Sequence, residues 1–397
     1  MQLSKPVSNE TLILDMIRRR GPISRADIAK LTGLTPPTVN TISGRLEMLD
    51  LIQTDRLGES SGGRRPVLMK VNPAREQIVV IHIRSYKMIG YVIDPALGIH
   101  YKHSSNIRGL GQQDVVDLLV GMVGECCKEA TQEIVAIGVV ARGPVRAKEG
   151  ISVFAPNIGW RNMPLKYILE EKFRLPVFVE NDAKALTNGE YYYGAAKNAN
   201  NLLLLKVGYG IGCGLMFNGS LYRGVNNSAG EVGHMTLDMN GPRCSCGKQG
   251  CLEALASESA LVEFMSEALR GGATSLVSEI LEGEIAQLTA DEIYQAAEAG
   301  DPLACKILKK VAHHLGLGIA NMVNALNPEL IVISGGLAVA QKFIEQQLQE
   351  TVNEHSFESC SSVLEIRYSN ETAIHTAKGM ADMVLAEIAD SAWLSQR

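Results

Sequence analysis

The chain of 397 residues predicts an α/β protein in which an N-terminal winged helix-turn-helix precedes a body of two α/β lobes. Three observations carry that prediction. Residues 8–50 hold three capped, periodically apolar stretches, with a hairpin pattern behind them over 51–72. Beyond residue 75, short β-rich runs alternate with helical ones, the order that builds sheets covered by helices. The roughly 320 residues of that second part exceed what one hydrophobic core usually organises, which divides it in two.

Taken in order, Leu12, Ile13, Met16 and Ile17 form the apolar stripe of a first helix that ends at Gly21-Pro22. Ser24 is placed to cap a second helix, with Asp27 three residues on, and Gly33 closes it. Thr35 caps a third, with Pro36 at the favoured first position. Its expected buried stripe is Val39, Ile42, Leu46 and Leu49. LIQTDRLGESSGGRRPVLMKVN over 51–72 reads as two strands with a Gly/Ser-rich tip at 58–63. In the body the strand runs are QIVVIHIR, GYVID, IVAIGVV, PVFVE, NLLLLKV and LIVISGG. The expected domains are 1–74 for the head and linker, 75–195 for a small lobe and 196–397 for a large lobe. The C-terminal helix either stays in the large lobe or returns to the small one.

Hydrophobic residues make up 46% and charged residues 20%, a globular balance that sets disorder aside. No uninterrupted apolar run reaches the roughly 18–20 residues of a membrane span. The opening MQLSKPVSNETLILDMIRRRGPIS lacks the basic-then-apolar order of a signal peptide. The expectation is a cytoplasmic protein with no membrane partner. In that setting the eight cysteines do not read as a disulfide framework. The net charge of −5 hides an asymmetry: residues 1–70 carry 11 Lys/Arg against 7 Asp/Glu, and the remainder 27 against 36. A basic head on an acidic body points to a local polyanion contact.

The segment ISRADIAKLTGLTPPTVNTISGRLEML fits a DNA-reading helix pair. Ala29 allows close helix packing, Gly33 suits the turn, Val39 fills the joint core, and the hairpin behind makes the wing. A recognition helix reads bases from its N-terminal end, off the buried stripe, which selects Thr38, Asn40 and Thr41. Asn pairs bidentately with adenine and Thr contacts a thymine methyl. Arg45 and Lys30 are placed for phosphate. In Gly62-Gly63-Arg64-Arg65-Pro66, Arg64 and Arg65 suit a narrow, strongly negative minor groove. The alternatives are a three-helix protein-interaction module and a solvated basic linker.

His234 precedes Cys244-Ser245-Cys246-Gly-Lys-Gln-Gly-Cys251. One imidazole and three thiolates complete a closed tetrahedral set, which predicts a structural Zn2+ held by His234, Cys244, Cys246 and Cys251. A redox switch or idle cysteines are the competing readings.

LYRGVNNSAGEVGHMTLDMNGPRCSCGKQGCLEALAS (221–257) resembles the signature of the ROK family of repressors, uncharacterised reading frames and sugar kinases. PNIGW (156–160) and VENDAKAL (179–186) are similar to two further motifs of that family. The likeness runs over nearly the full length, and LYRGV and GEVGHMTLD look most like the xylose-repressor type. It implies an actin-like, hexokinase-type body with two lobes flanking a sugar cleft. Carried residue by residue, it implies sugar contacts from Asn157, Asn181, Asp182, Glu231, His234 and Glu253. Carboxylates accept from paired hydroxyls and Asn both donates and accepts, so the residue types suit that task. His234 would give one nitrogen to zinc and the other to sugar.

Where kinase members keep a general base, this chain has Asp182. Phosphoryl transfer also needs its phosphates positioned, and here the chain departs from the family. The first phosphate motif reads His82-Ile83-Arg84-Ser85-Tyr86, without its carboxylate or glycines. The second survives as Gly208-Tyr209-Gly210-Ile211-Gly212-Cys213-Gly214, with Tyr209 in place of a small hydroxyl residue. Close packing selects glycine in a strand equally well. Gly335-Gly336 resembles the adenosine-side turn. Arg142 stands where the family has proline, placed to meet an anionic ligand group or a carboxylate of its own lobe. These residues predict a non-enzymatic, sugar-responsive transcriptional regulator, most simply a repressor of carbohydrate use. Its partners would be operator DNA, a sugar effector and further copies in a homodimer or homotetramer. Two other readings compete: an ATP-dependent sugar kinase with a DNA-binding head, and a regulator controlled by a protein partner.

Overall fold

The computed structural model describes residues 8–58, 65–155, 158–197, 199–282, 284–370 and 372–390. Three helices, α1 (Asn9–Arg20), α2 (Arg25–Thr32) and α3 (Pro36–Met48), form the head with strands β1 (Ile23–Ser24), β2 (Ile52–Leu57) and β3 (Val67–Val71). The caps are the residues whose side chains suit them: Ser24 Oγ accepts from Asp27 N at 3.1 Å, and Thr35 Oγ1 from Thr38 N at 3.4 Å. Gly33 ends α2 at φ +71°. Ile13, Ile17, Ile28, Val39, Leu46, Ile52 and Met69 fill the core.

The stripe of α3 differs from expectation. Ser43 is buried with Val39 and Leu46, and Ile42 and Leu49 are half-buried. Steps of four and three residues put 39, 43 and 46 on one line, so 42 and 49 fall at its edges. The short β1 was not foreseen. It adds to the hairpin in the order β1-β3-β2, Ile23 opposite Met69.

The first body sheet uses β4 (Gln77–Ile83), β5 (Lys87–Ile93), β6 (Ile99–Asn106), β7 (Ile134–Ala141) and a later strand, with α4 (Gln112–Glu129) leading into β7. A small three-stranded sheet of β8 (Val145–Arg146), β9 (Ile151–Ala155) and β10 (Trp160–Met163) follows, then α5 (Leu165–Phe173) and β11 (Val177–Asn181). The main order is β11-β7-β4-β5-β6: an antiparallel meander on one side of β4 and parallel strands on the other. β4 is buried from end to end, as its unbroken QIVVIHI demands.

The second body sheet follows α6 (Asp182–Tyr193) and contains β12 (Leu202–Val207), β13 (Ile211–Phe217) and β14 (Ser220–Tyr222). Helices α7 (Leu252–Ala256), α8 (Glu258–Arg270), α9 (Leu276–Ile280), α10 (Ala290–Glu298) and α11 (Pro302–Leu326) come before β15 (Leu330–Ser334). The chain ends with α12 (Gln341–His355), α13 (Glu358–Ser361), β16 (Glu365–Ser369) and α14 (Thr372–Asp390). The order β14-β13-β12-β15-β16 repeats that of the first sheet.

The chain divides into two compact units, Met1–Asn181 with Ala377–Arg397, and Asp182–Thr376. That division falls ahead of the expected boundary at 195 because α6 packs on β13. A Cβ on Gly214 would lie 1.8 Å from Thr187 Oγ1, so the glycine admits the helix. The part of α14 from Ala377 belongs with the first unit, where Met380 and Val384 press on Gly138 of β7. The same stretch holds the head. Asp382, with no exposed side-chain surface, is paired with Arg18 and with Arg19 at 3.0 Å. Thr11 Oγ1 donates to Ala389 O at 3.1 Å, and Ala389 joins the apolar core of the head.

Candidate functional site

The DNA-reading candidates lie on α3 and the wing. Asn40 and Thr41 are exposed, and Thr38 is half-buried with its hydroxyl 2.8 Å from that of Thr35. The cap therefore engages the Thr38 hydroxyl and leaves Asn40 and Thr41 as the outward polar pair. Arg25 grips Glu47 at 3.0 Å, fixing α2 against α3. Arg45 reaches Glu10 on α1 at 2.6 Å. Lys30 and Arg65 are exposed, and Arg64 lies outside the described residues.

His234, Cys244, Cys246 and Cys251 converge, with their ligand atoms all within 4.8 Å of one another. Cys244 Sγ lies 3.6 Å from His234 Nδ1, and Cys246 Sγ lies 3.7 Å from Cys251 Sγ. A tetrahedral zinc with bonds of about 2.0–2.3 Å sets its ligands about 3.6–3.8 Å apart, so the set fits. The loop is a knuckle: Cys244 N donates to Lys248 O at 2.8 Å, and Gly247 turns at φ +89°. A side chain at Gly250 would strike Asp238 O, 1.5 Å from its Cβ. Burial pushes the Cys244 thiol up to about 12 and raises Cys251. The backbone N–H of Lys248 lowers Cys246. All eight cysteines are unpaired by disulfides.

Beside the knuckle stands a group of acids. Glu253, in the first turn of α7, accepts from Ser245 Oγ at 3.1 Å with one oxygen and from Ile211 N at 3.0 Å with the other. It thereby joins the thiol loop to β13. Glu231 has its carboxyl raised, first by burial and then by Asp182 and Glu253, against the pull of His234 and Lys184. Asp182, the first residue of α6, is paired with Lys206 of β12. Asp182, Glu231, His234 and Glu253 thus share one electrostatic neighbourhood, rich in oxygens that can accept hydrogen bonds from hydroxyls. Asn181, at the end of β11 in the other unit, donates from Nδ2 to Gly143 O at 2.9 Å. Asn157 lies outside the described residues.

Two lysines escaped the sequence reading. Lys184 is buried and donates to Asn227 O at 2.7 Å, anchoring the 223–230 loop to α6. Lys206 neutralises Asp182. Both carried a legible signal. Each is a lone cation in an apolar or acidic run, and a buried charge demands a partner.

The two glycine-loop candidates differ. Arg84-Ser85-Tyr86 is a tight turn in which Arg84 N donates to Lys87 O at 2.8 Å. Arg142 donates to Ser85 Oγ, and the Arg108 guanidinium lies 4.3 Å from the centre of the Tyr86 ring. The partner of Arg142 is thus a hydroxyl of its own unit. In the second loop, Gly212 and Gly214 face Ala183 and Thr187 of α6, so close packing accounts for both.

The profile of the ROK family matches residues 83–387, and that of winged helix-turn-helix DNA-binding domains matches residues 9–53. The chain is 32% identical over 391 residues to a xylose repressor of Caldicellulosiruptor bescii, covering 96% of each chain. A crystal structure of a ROK family transcriptional regulator, a homologue of the E. coli MLC protein, shares the fold with TM-score 0.84 at 24% identity, covering 98% of both chains. A ROK family glucokinase from Streptomyces griseus, solved with glucose and AMPPNP, matches with TM-score 0.69 at 27% identity. It covers 77% of this chain and 98% of its own. Among the described residues, no helix is long and apolar enough to cross a membrane.

Proposed function

The chain belongs to the ROK family, and we propose that it is a repressor that holds operator DNA until a sugar releases it. One observation carries the reading: a winged helix-turn-helix with an outward Asn40-Thr41 pair shares a chain with the Asp182, Glu231, His234 and Glu253 group. Asn40 and Thr41 read base edges, with Thr38 contributing its methyl. Arg45, Arg64 and Arg65 face phosphate or the minor groove. The Arg45–Glu10 pair is exposed and of little worth by itself, so phosphate can replace Glu10. Asn157, Asn181, Asp182, Glu231, His234 and Glu253 take the sugar hydroxyls.

His234, Cys244, Cys246 and Cys251 hold zinc, which supplies a positive centre that fixes the knuckle. With Nδ1 facing the thiols, Nε2 of His234 is the nitrogen left for sugar. The body does not phosphorylate. Asp182 is tied to Lys206, and bulky side chains fill the Arg84-Ser85-Tyr86 turn. The protein acts in the cytoplasm as a homodimer or homotetramer, over half-sites spaced by helical turns. Release follows if sugar prefers the form that binds DNA poorly, and by reciprocity DNA then weakens sugar binding.

The test is fluorescence anisotropy on DNA from upstream of its own gene, at fixed salt because phosphate contacts make affinity salt-dependent. Xylose leads a panel of sugars and sugar phosphates, given the relative's name. Specific binding weakened by one sugar is expected. Specific binding that no sugar alters, while a protein partner does alter it, would replace this reading, and sugar-dependent ADP release would restore the kinase.

A further inference from the structure

β12 and β15 run parallel and side by side, with Lys206 opposite Ser334, so their carboxyl ends open on one edge of the sheet. In open α/β sheets that edge is where ligands bind. Both strands end there in glycine, Gly208 after β12 and Gly335-Gly336 after β15. Gly335 turns at φ +98°, and its Cβ would lie 2.4 Å from Val207 O, so the two turns are packed together. The N–H of Gly208 donates to Gly210 O at 3.0 Å and that of Gly335 to Thr372 Oγ1 at 3.3 Å, so the turns hold their own shape. What their glycines offer a phosphate is close approach to the backbone.

The crevice is already filled. A Cβ on Gly336 would lie 1.7 Å from Glu258 Oε1, and one on Gly208 would lie 3.5 Å from Glu258 Oε2. The two oxygens of one carboxylate are thus laid against the two glycine turns. Glu258 heads α8, its N–H donating to Gly208 O at 2.8 Å, and the residue is 7% exposed. Tyr294, buried on α10, donates its hydroxyl to Glu258 Oε1 at 3.0 Å. A carboxylate so deep requires donors around it, and these are features that would also suit a phosphate.

We propose that Glu258 is an internal anion seated in a phosphate-accepting crevice at the ends of β12 and β15, where it excludes nucleotide by volume and by like charge. This deepens the reading of the body as a sugar sensor that does not phosphorylate, and rests on it. The Arg84-Ser85-Tyr86 turn is a separate obstacle in the other unit, so Glu258 can be tested by itself.

Isothermal titration of the full chain with MgATP, and separately with inorganic tripolyphosphate, compares the natural protein with Glu258→Gly and Glu258→Gln. The natural protein is expected to show no saturable binding. Glu258→Gly is expected to bind both probes at least about tenfold more tightly, and the neutral isostere Glu258→Gln to fall between, because charge is removed while volume stays. If Glu258→Gly does not fold, judged by melting, Glu258→Gln decides. Equal binding by the natural protein, silence in every folded variant, or ATP binding without tripolyphosphate binding would each overturn the proposal. Operator binding and sugar release, measured on the natural protein in the same preparation, report independently on the repressor reading.

Discussion

The two body sheets share one plan: a three-stranded meander whose first strand is flanked on its other side by two parallel strands. Each sheet is followed by a helix assigned wholly or mostly to the other unit. α6 follows β11 and packs on β13, and α14 follows β16 and reaches β7 from Ala377 onward. The contents of the plan differ. The first hairpin turn is Arg84-Ser85-Tyr86 in one sheet and Gly208-Tyr209-Gly210 in the other. Between third and fourth strands the first unit places α4 alone, whereas the second places the thiol knuckle and α7 to α11. A common backbone has therefore been specialised by its insertions, one unit holding the DNA-reading head and the other the acid and thiol groups.

The largest expected effect separates the units through the knuckle. Cys251→Ser, or a strong chelator, should lower bound zinc from about one equivalent per chain toward none. Protease sensitivity should then appear within 234–253, with the head fold unchanged. Metal analysis with mapped cleavage sites decides the matter, and a knuckle that stays resistant without metal would break the assignment.

Next in size is Asp382→Ala. Arg18 and Arg19 keep Asp15, at 2.6 and 3.8 Å, so the loss should fall below the roughly 3–5 kcal/mol of a buried charge left with no partner. Two arginines of α1 depend on Asp382, so the loss should appear in the first unit. Urea unfolding should show it, with earlier hydrogen exchange in α1 and α14. If stability is unchanged, the Asp382 ion pairs are not what holds the head, and the Thr11 and Ala389 contacts of α14 are left to do so.

A third contrast lies within one glycine run. Gly214→Ala puts a methyl 1.8 Å from Thr187 Oγ1 and should cost about 1–3 kcal/mol by overpacking. Gly208→Ala has only Glu258 Oε2 nearby, at 3.5 Å, and needs no positive φ, so its cost should stay within about 0.5 kcal/mol. Melting of the two variants tests whether packing alone explains this run. A reversed order would show that it does not.

Much of this fold is legible in the amino-acid sequence. The caps at Ser24 and Thr35 and the Gly33 turn follow from local chemistry, and most strands announce themselves as short runs rich in apolar residues. The knuckle was readable because three thiols in eight residues have few other uses. What escaped was non-local. β6, IHYKHSSN, is an edge strand of alternating half-burial and carries no apolar run. The Asp382 clasp joins residues more than 360 positions apart. Glu258 in ASESA looks like an ordinary helix-start acid until β12 and β15 are set side by side. The repeat of the two sheets was likewise invisible, since it lies in strand order and not in side chains.

The smallest expected effect concerns acid and the start of α14. Glu190 of α6, with no exposed side-chain surface, accepts from His375 Nδ1 at 2.7 Å, from Ala195 N at 2.7 Å and from Ser369 Oγ. Burial pushes its carboxyl up, but these hydrogen bonds, His375 foremost, outweigh it and hold the group below its ordinary 4.5. A carboxyl with a depressed folded value contributes stability that is present above the unfolded value and lost as pH falls through the folded one. Glu190→Gln should therefore lower the urea midpoint at neutral pH and flatten its decline at acid pH. The two curves should converge below about pH 4. Parallel curves across the range would mean that Glu190 titrates alike in the folded and unfolded chain. The clasp between α6 and α14 would then be one of shape, set by Gly189 against His375 O, and not of charge.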